Sequence, residues 1–296
     1  MNLIKYFLLL FFLISCNGPS PNYKPKSSGN INTVTVVMTN SLWNSTLGDK
    51  VREAFASEFT GLPQQEPIFN LKQIPLETFS GFTRESRNII IVQKKNKDTL
   101  FLEKDKYAYP QVLVSISGPN NNSISKQIFQ NKERVIFEIK KNELKEKQKR
   151  IKISTLDKTD LKSLLSIELR MPSAYEIYKK GKEKIIWFQR DTDKGTVNIL
   201  AYELETIDFS GTLNLEKVIK IRDSIGKAFL PGRNANSYMI TEEAYLPYIK
   251  KARIRGLDAT ETRGTWEVKN DFMAGPFLNY MINDTINKRT IVLEGF

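Results

Sequence analysis

Hydrophobic and polar positions fall into an ordered pattern only from Val34 onward, after an apolar run over Tyr6 to Ile14 and a polar stretch that follows it. Val34-Thr35-Val36-Val37-Met38 is a β-branched run that predicts a buried strand. Over Gly48 to Phe59, Val51, Phe55 and Phe59 recur at helical spacing with Ala54 beside them, and Gly61-Leu62-Pro63 stops the helix. A strand is then expected over Ile68 to Ile74, a short helix or turn over Pro75 to Phe82, a core strand over Asn88 to Gln93, and its hairpin partner over Thr99 to Glu103. Val112 to Ser117 reads as another strand, closed by Gly118-Pro119. A long helix is predicted from Asn121 to about Lys149, with Ile124, Ile128, Val135 and Ile139 near one face. Val135-Ile136-Phe137 taken alone would be a strand; length favours the helix.

After Thr155 to Lys162 the order recurs. Ser166 to Met171 is strand-like, Pro172 to Tyr178 short and helical, Lys184 to Arg190 a core strand and Thr196 to Glu203 its hairpin partner. Leu215, Val218, Ile219, Arg222, Ile225 and Phe229 then mark a helix, with Asn214 as its N-cap. Strands over Tyr248 to Arg255, Thr262 to Val268 and Arg289 to Leu293 suggest an antiparallel sheet. The fold class read from this order is α+β, largely antiparallel sheets flanked by helices. Pro75 can be laid on Pro172 and Ile89-Ile90-Ile91 on Ile186-Trp187-Phe188, so an internal duplication into two similar halves is open. Residues 33–154 form the first half and 155–296 the second; the apolar ending Leu293-Glu294-Gly295-Phe296 leaves open a truncated C-terminus.

The amino end carries a targeting pattern. Lys5 supplies a positive start, Tyr6 to Ile14 an apolar core, and Ser15 a small residue before Cys16, the only cysteine. Leu13-Ile14-Ser15-Cys16 resembles the bacterial lipobox. That resemblance implies a signal peptide over residues 1–15, cleavage before Cys16 and acyl chains (palmitate among them) on that cysteine. The competing reading, a transmembrane helix, needs about 20 apolar residues, roughly twice what is here. Residues 16–32 are Asn, Gly, Pro, Ser and Lys with little to bury, a lipidated flexible tether with a mean span on the order of 20 Å. The first charge after Cys16 is Lys24, with no acidic cluster before it, which favours the periplasmic face of the outer membrane.

Charge and chemistry narrow the function. Net charge is +12, but 32 lysines against 13 arginines is what a biased genome composition yields without selection for an anionic partner, and no nucleic-acid motif is present. The densest basic run, Lys140 to Lys152, has seven basic and two acidic residues; it reads as a solvated helix end and is the best candidate for touching lipid headgroups. With no histidine in the chain, Ser-His-Asp triads, Cys-His dyads and His-bearing zinc sites are excluded, and acylation of Cys16 removes the one thiol. No cofactor or metal is therefore expected, and no catalytic residue is assigned. Ser123-Ile-Ser-Lys126 and Ser224-Ile-Gly-Lys227 match S-x-x-K, yet about two such matches arise by chance at this lysine frequency.

The stretch Trp43, Gly48-Asp49, Arg52-Glu53, Phe59, Gly61-Leu62-Pro63-Gln64, Glu66-Pro67, Phe69, Phe79 and Arg87-Asn88-Ile89-Ile90 resembles the family known as domain of unknown function 4837. The tail, Thr262-Arg263-Gly264-Thr265-Trp266 and Leu293 to Phe296, is similar to it as well. The resemblance implies a bacterial, lipid-anchored α+β protein without an assigned activity. The expected function is a non-enzymatic envelope lipoprotein that binds an envelope protein or glycan, through a surface at Trp43, Glu66 and Arg87 or at Arg263 and Trp266. The alternative is a histidine-free hydrolase acting on cell-wall glycan or lipid. Glu66 and Arg87 are expected to form an ion pair.

Overall fold

The computed structural model describes residues 24–296 apart from 63, 158, 182, 194 and 208–213; the expected signal peptide, Cys16 and the start of the expected tether lie outside the described residues. The chain divides into two compact units. Unit 1 ends a first pass at Ala54 and resumes over Asn70–Asn142, while unit 2 comprises Phe55–Phe69 and Glu143–Phe296. Unit 2 thus takes in residues 143–154 and a loop, residues 55–69, from the half that the sequence reading bounds at 33–154.

Unit 1 is built on five strands, β1 (Thr33–Val37), β2 (Asn70–Ile74), β3 (Asn88–Lys94), β4 (Thr99–Lys104) and β5 (Val112–Gly118), ordered β2-β1-β3-β5-β4. The first four in that order run parallel, and β4 is an antiparallel edge. Val36, Val37, Ile89 and Ile90 are all fully buried, as near-continuous apolar strands are when both faces of a parallel sheet are covered. Two short helices follow β1, α1 (Asn40–Trp43) and α2 (Thr46–Phe55). The long α3 (Asn121–Ile153) follows β5 and buries Ile124, Ile128, Val135 and Ile139 on one face, so the strand reading of residues 135–137 is rejected. The expected hairpin of β3 with β4 is also wrong. Both edges of β3 are taken by β1 and β5, and β4 pairs on the far side of β5, where the Thr99 and Ser117 hydroxyls lie 2.7 Å apart.

Residues 24–32, expected to be tether, are held on unit 1. Lys26 and Ser28 bridge to Tyr109 and Ser86, and one guanidinium nitrogen of buried Arg87 donates to the carbonyls of Gly29 and Asn30, each at 2.9 Å. The composition argument missed this because backbone groups of the segment make most of these contacts, joined by Lys24, whose ammonium donates to the Asp105 carbonyl. Helix α2 also stops at Phe55 rather than Phe59; residues 57–68 double back instead, with Phe59 N donating to Glu66 O and Ile68 N to Ser57 O.

Unit 2 is an antiparallel sheet of eight strands. β6 (Glu176–Gly181), β7 (Ile185–Thr192) and β8 (Gly195–Glu205) form one meander. β10 (Tyr248–Ile254), β11 (Leu257–Lys269), β12 (Ala274–Asp284) and β13 (Arg289–Gly295) form another. The two meanders join where β13 pairs β8, and β9 (Tyr238–Thr241) pairs the far end of β11. The helical α4 (Thr159–Leu165) precedes the sheet. Residues 166–171 are not a strand: Leu156 N donates to Met171 O and Thr155 bridges to Pro172, so this segment pairs with residues 154–156 and not with the sheet. Likewise residues 172–175 form a turn with Tyr175 buried, and β6 replaces the helix expected there. The overlay of the two halves has no counterpart in the pairings, since β3 lies between parallel neighbours and β7 between antiparallel ones.

Helix α5 (Leu215–Phe229) starts where the sequence places it, with the Asn214 side chain accepting from Lys217 N at 2.9 Å. It covers the sheet face formed by Ile185, Leu200, Tyr202, Met281 and Val292. Its buried line is Val218, Arg222 and Gly226. A Cβ on Gly226 would stand 2.0 Å from the Met239 carbonyl oxygen, so only glycine lets the helix backbone approach β9 this closely. Four residues earlier on that line the Arg222 guanidinium donates to Glu294 from Nε at 2.9 Å and to the Thr241 hydroxyl from Nη1 at 2.9 Å, and lies 3.8 Å from the Phe277 ring centroid. Asn279 donates to the other Glu294 oxygen at 2.8 Å, and the Thr241 hydroxyl passes the chain on to Asp223 at 2.8 Å. Arg222 and Glu294 are 3 % and 2 % exposed, so neither charge has water as an alternative partner.

Two stability outcomes follow from this packing. Gly226→Ala lowers unfolding free energy by about 1–3 kcal/mol, because the new methyl meets backbone and not a movable side chain. Glu294→Leu costs about 3–5 kcal/mol by stranding a buried guanidinium, and Arg222→Met with Glu294→Leu recovers much of it. Urea unfolding of the two singles and the double reads the coupling; additive losses would show that the pair does not act as a unit.

Candidate functional site

Of the residues singled out from sequence, Trp43 and Arg87 lie in unit 1, and Glu66, Arg263 and Trp266 in unit 2. Trp43, half-buried at the end of α1, is covered by Arg52, whose guanidinium sits 4.4 Å from the ring centroid and donates to the Trp43 carbonyl. Arg87 is interior to unit 1, engaged with the carbonyls described above, whereas Glu66 is exposed on the loop belonging to unit 2. The two residues expected to form an ion pair thus belong to different units.

Arg263 and Trp266 are both on β11 but point to opposite faces, because three residues is an odd step along a strand. Trp266 packs with the core under α5, 6.1 Å from the Phe296 ring. Arg263 stacks 4.3 Å from the Phe59 ring and pairs with Glu261, which also accepts from the Tyr280 hydroxyl at 2.7 Å. Burial, then the Glu261 hydrogen bond, hold the Tyr280 hydroxyl well above its ordinary pKa. Gly61, at φ +89°, brings the loop backbone against Arg263 and Tyr248; its positive φ and the 2.9 Å approach to Arg263 Cβ both require glycine. These contacts fasten the 55–69 loop to unit 2, a structural task for Phe59, Gly61 and Arg263.

The second face of the sheet, opposite α5, is only partly covered. Residues from α4 and the following segment, Leu161, Leu165, Met171 and Tyr175, close it over β7 and β8. At the Ile254–Leu257 end of β10 and β11 it opens into a cleft of about 600 Å³. Its floor is Ile254, Leu257, Ile282, Ile291 and Leu293, and its walls are Ile167 and Leu169 on one side and Ile151, from the last turn of α3, on the other. Lys152, Arg170 and Arg255 line the rim, exposed and without a carboxylate partner among the described residues. Sequence reasoning missed this site because its walls come from residues 166–171, expected to be a strand inside the sheet. One signal did point to it: the basic run Lys140 to Lys152 ends on its rim.

Two carboxylates reach the cleft, Glu168 and Asp284. Asp284 is committed, accepting from Arg289 Nε at 2.8 Å and from Asn287 Nδ2 at 2.7 Å. Arg289 also pairs with Glu203, which holds Lys184 on its other oxygen. Burial opposes ionisation of Asp284 and Glu203, but these hydrogen bonds outweigh it and keep both below their ordinary values of 3.8 and 4.5. No helix among the described residues is long and apolar enough to cross a membrane.

Against known families the chain splits in two. Residues 154–296 match the family Domain of unknown function (DUF4837). Residues 27–152 match a second family, Domain of unknown function (DUF8532). The cleft floor, formed by β10 to β13, lies in the DUF4837 match, and Ile151 and Lys152 close the DUF8532 match. The expected likeness to DUF4837 holds for the tail from Thr262 to Phe296, while the stretch from Trp43 to Ile90 falls under the other family. One match ends at residue 152 and the other begins at residue 154. No curated protein and no solved structure matches the chain.

A depressed carboxylate contributes stability that is present above its ordinary value and lost as pH falls through its lower folded value. Acid unfolding therefore draws on Glu203 and Asp284 below about pH 4.5. Lys184→Gln relaxes Glu203, flattens this acid-side loss and costs about 0.2–1 kcal/mol at neutral pH, since Lys184 is exposed. Urea midpoints across pH 3 to 7 check the slope; an unchanged slope would remove Glu203 from the account.

Proposed function

We propose that the chain is a lipid-anchored envelope lipoprotein, held through Cys16 with its globular part facing the periplasm, and that it has a non-enzymatic binding role exercised at the cleft of unit 2. The observation that carries the binding reading is the cleft itself: about 600 Å³ of concave surface with a largely aliphatic lining and a few charged groups. Pockets of roughly 300–1,000 Å³ with an apolar lining and a few polar groups are the usual form of small-ligand sites. The lipobox-like Leu13 to Cys16 supports the anchor.

The hydrolase alternative needs an acid and a base or nucleophile that converge on one bond. Of the two carboxylates at the cleft, Asp284 is fixed by Arg289 and Asn287 and has a lowered pKa, which is the wrong direction for a general acid. The two S-x-x-K serines serve their helices instead: Ser224 donates to the Lys220 carbonyl at 2.7 Å, and Ser123 to that of Asn120 at 3.2 Å. Binding is the better-supported role.

The anchor is tested by Cys16→Ser in cells fed labelled palmitate. The wild-type chain takes up label and runs at its cleaved size; the variant stays uncleaved and unlabelled. Equal labelling of both removes the anchor.

A further inference from the structure

We infer that the cleft takes a single-chain anionic amphiphile: one alkyl chain along the aliphatic floor, with its negative headgroup at Arg170 and Arg255. This rests on the reading of the cleft as the binding site and adds the chemistry of the ligand.

Three features select that class. Eight of the fourteen lining residues are isoleucine or leucine, Gln148 is the one uncharged polar residue, and there is no aromatic ring to stack a sugar or a planar heterocycle, so the complementary surface is mainly a flexible hydrocarbon. A glycan would bring many hydroxyls to a floor that offers them no donor or acceptor, and each unpaired group would cost binding. At the rim stand three cations, Lys152, Arg170 and Arg255, and two carboxylates, Glu168 and Asp284, neither of which is free. Asp284 is already engaged by Arg289, whereas Lys152, Arg170 and Arg255 have no carboxylate partner among the described residues.

Lys152 has a further reason for its place, since a cation at the end of α3 opposes the negative end of the helix dipole. Arg170 and Arg255 have no such reason. Arg170 follows the wall residue Leu169, and Arg255, at φ +53°, tips the β10–β11 hairpin beside Gly256 at φ +88°. Their forked guanidinium groups suit carboxylate or phosphate oxygens. One alkyl chain with an acidic end satisfies floor and rim together. The exposed Lys145, Lys147 and Lys149 precede Lys152 on the same helix and add positive charge that attracts anionic surfaces.

The test uses the full acylated chain in zwitterionic nanodiscs with photoreactive alkyl probes of one chain length that end in carboxylate, phosphate or alcohol. Mass spectrometry maps the cross-links. Labelling concentrated on Ile151, Ile167, Leu257 and Leu293, with the acidic probes effective at about tenfold lower concentration than the alcohol, supports the inference. Arg170→Gln with Arg255→Gln should remove that preference and leave alcohol labelling unchanged; both residues are exposed, so folding is not at stake. Carboxylate preferred to phosphate points to a free fatty acid, the reverse to a phosphorylated lipid, and either supports the class. Equal labelling by all three heads, or cross-links spread over the surface, overturns it. Failure here leaves palmitate labelling of Cys16 unaffected, while recovery of a dephosphorylated probe would overturn the non-enzymatic reading instead.

Discussion

The buried ion pair of Arg222 with Glu294 is the constraint around which unit 2 is arranged. It ties helix α5 to β13, and its side branches reach β9 through Thr241 and β12 through Asn279. Two charges in an apolar interior are tolerated only with their hydrogen bonds filled. Here the guanidinium uses a carboxylate, a hydroxyl and the Phe277 ring, and Glu294 spends its two oxygens on Arg222 and Asn279. Such a set is met in one register only. A slip of β13 by one residue would send Glu294 to the other face and leave Arg222 without its partner.

That register also decides what the opposite face looks like. With Glu294 and Val292 under α5, the intervening Ile291 and Leu293 must face the other way, and Tyr280 and Ile282 of β12 join them through the same alternation. The second face therefore carries a row of aliphatic residues that something has to cover. α4 and residues 166–175 cover the β7 and β8 part, and the 55–69 loop is pinned at the Arg263 corner. The cleft is what these covers leave open, so the same pairing that makes the α5 face rigid also sets out the floor of the candidate site.

Elements whose signal is local were legible in the sequence. The N-cap of α5, the length of α3 and the hairpin of β7 with β8 all rest on residues close in the chain, and they stand where the pattern put them. Strand partners were not legible, because β3 and β7 have similar apolar runs while one pairs in parallel and the other antiparallel. Site residues have no local signal of this kind. Tryptophans and arginines stood out by type, yet Trp43, Arg87, Arg263 and Trp266 are engaged in holding the fold, and the cleft is made of isoleucines and leucines that composition cannot distinguish from core. Arg222 was visible as a charge on an apolar stripe; nothing in the sequence named Glu294 as its partner, 72 positions away.

The position of charge changes the meaning of the net +12. Spread evenly, 45 basic residues against 33 acidic ones would do little beyond keeping the chain soluble. Arginines buried in the units, such as Arg87 and Arg222, are spent on internal partners and contribute nothing to an approaching ligand. Those that remain unpaired matter only where a second interaction joins them, because an exposed charge alone is screened over about 8 Å at physiological salt. At the cleft rim the second interaction is supplied by the floor: hydrocarbon burial holds the ligand close, and at contact distance the arginine forks act before screening does. An aliphatic cleft without the rim would bind any oily chain, and the rim without the cleft would bind weakly to any anion; together they discriminate for a molecule that carries both.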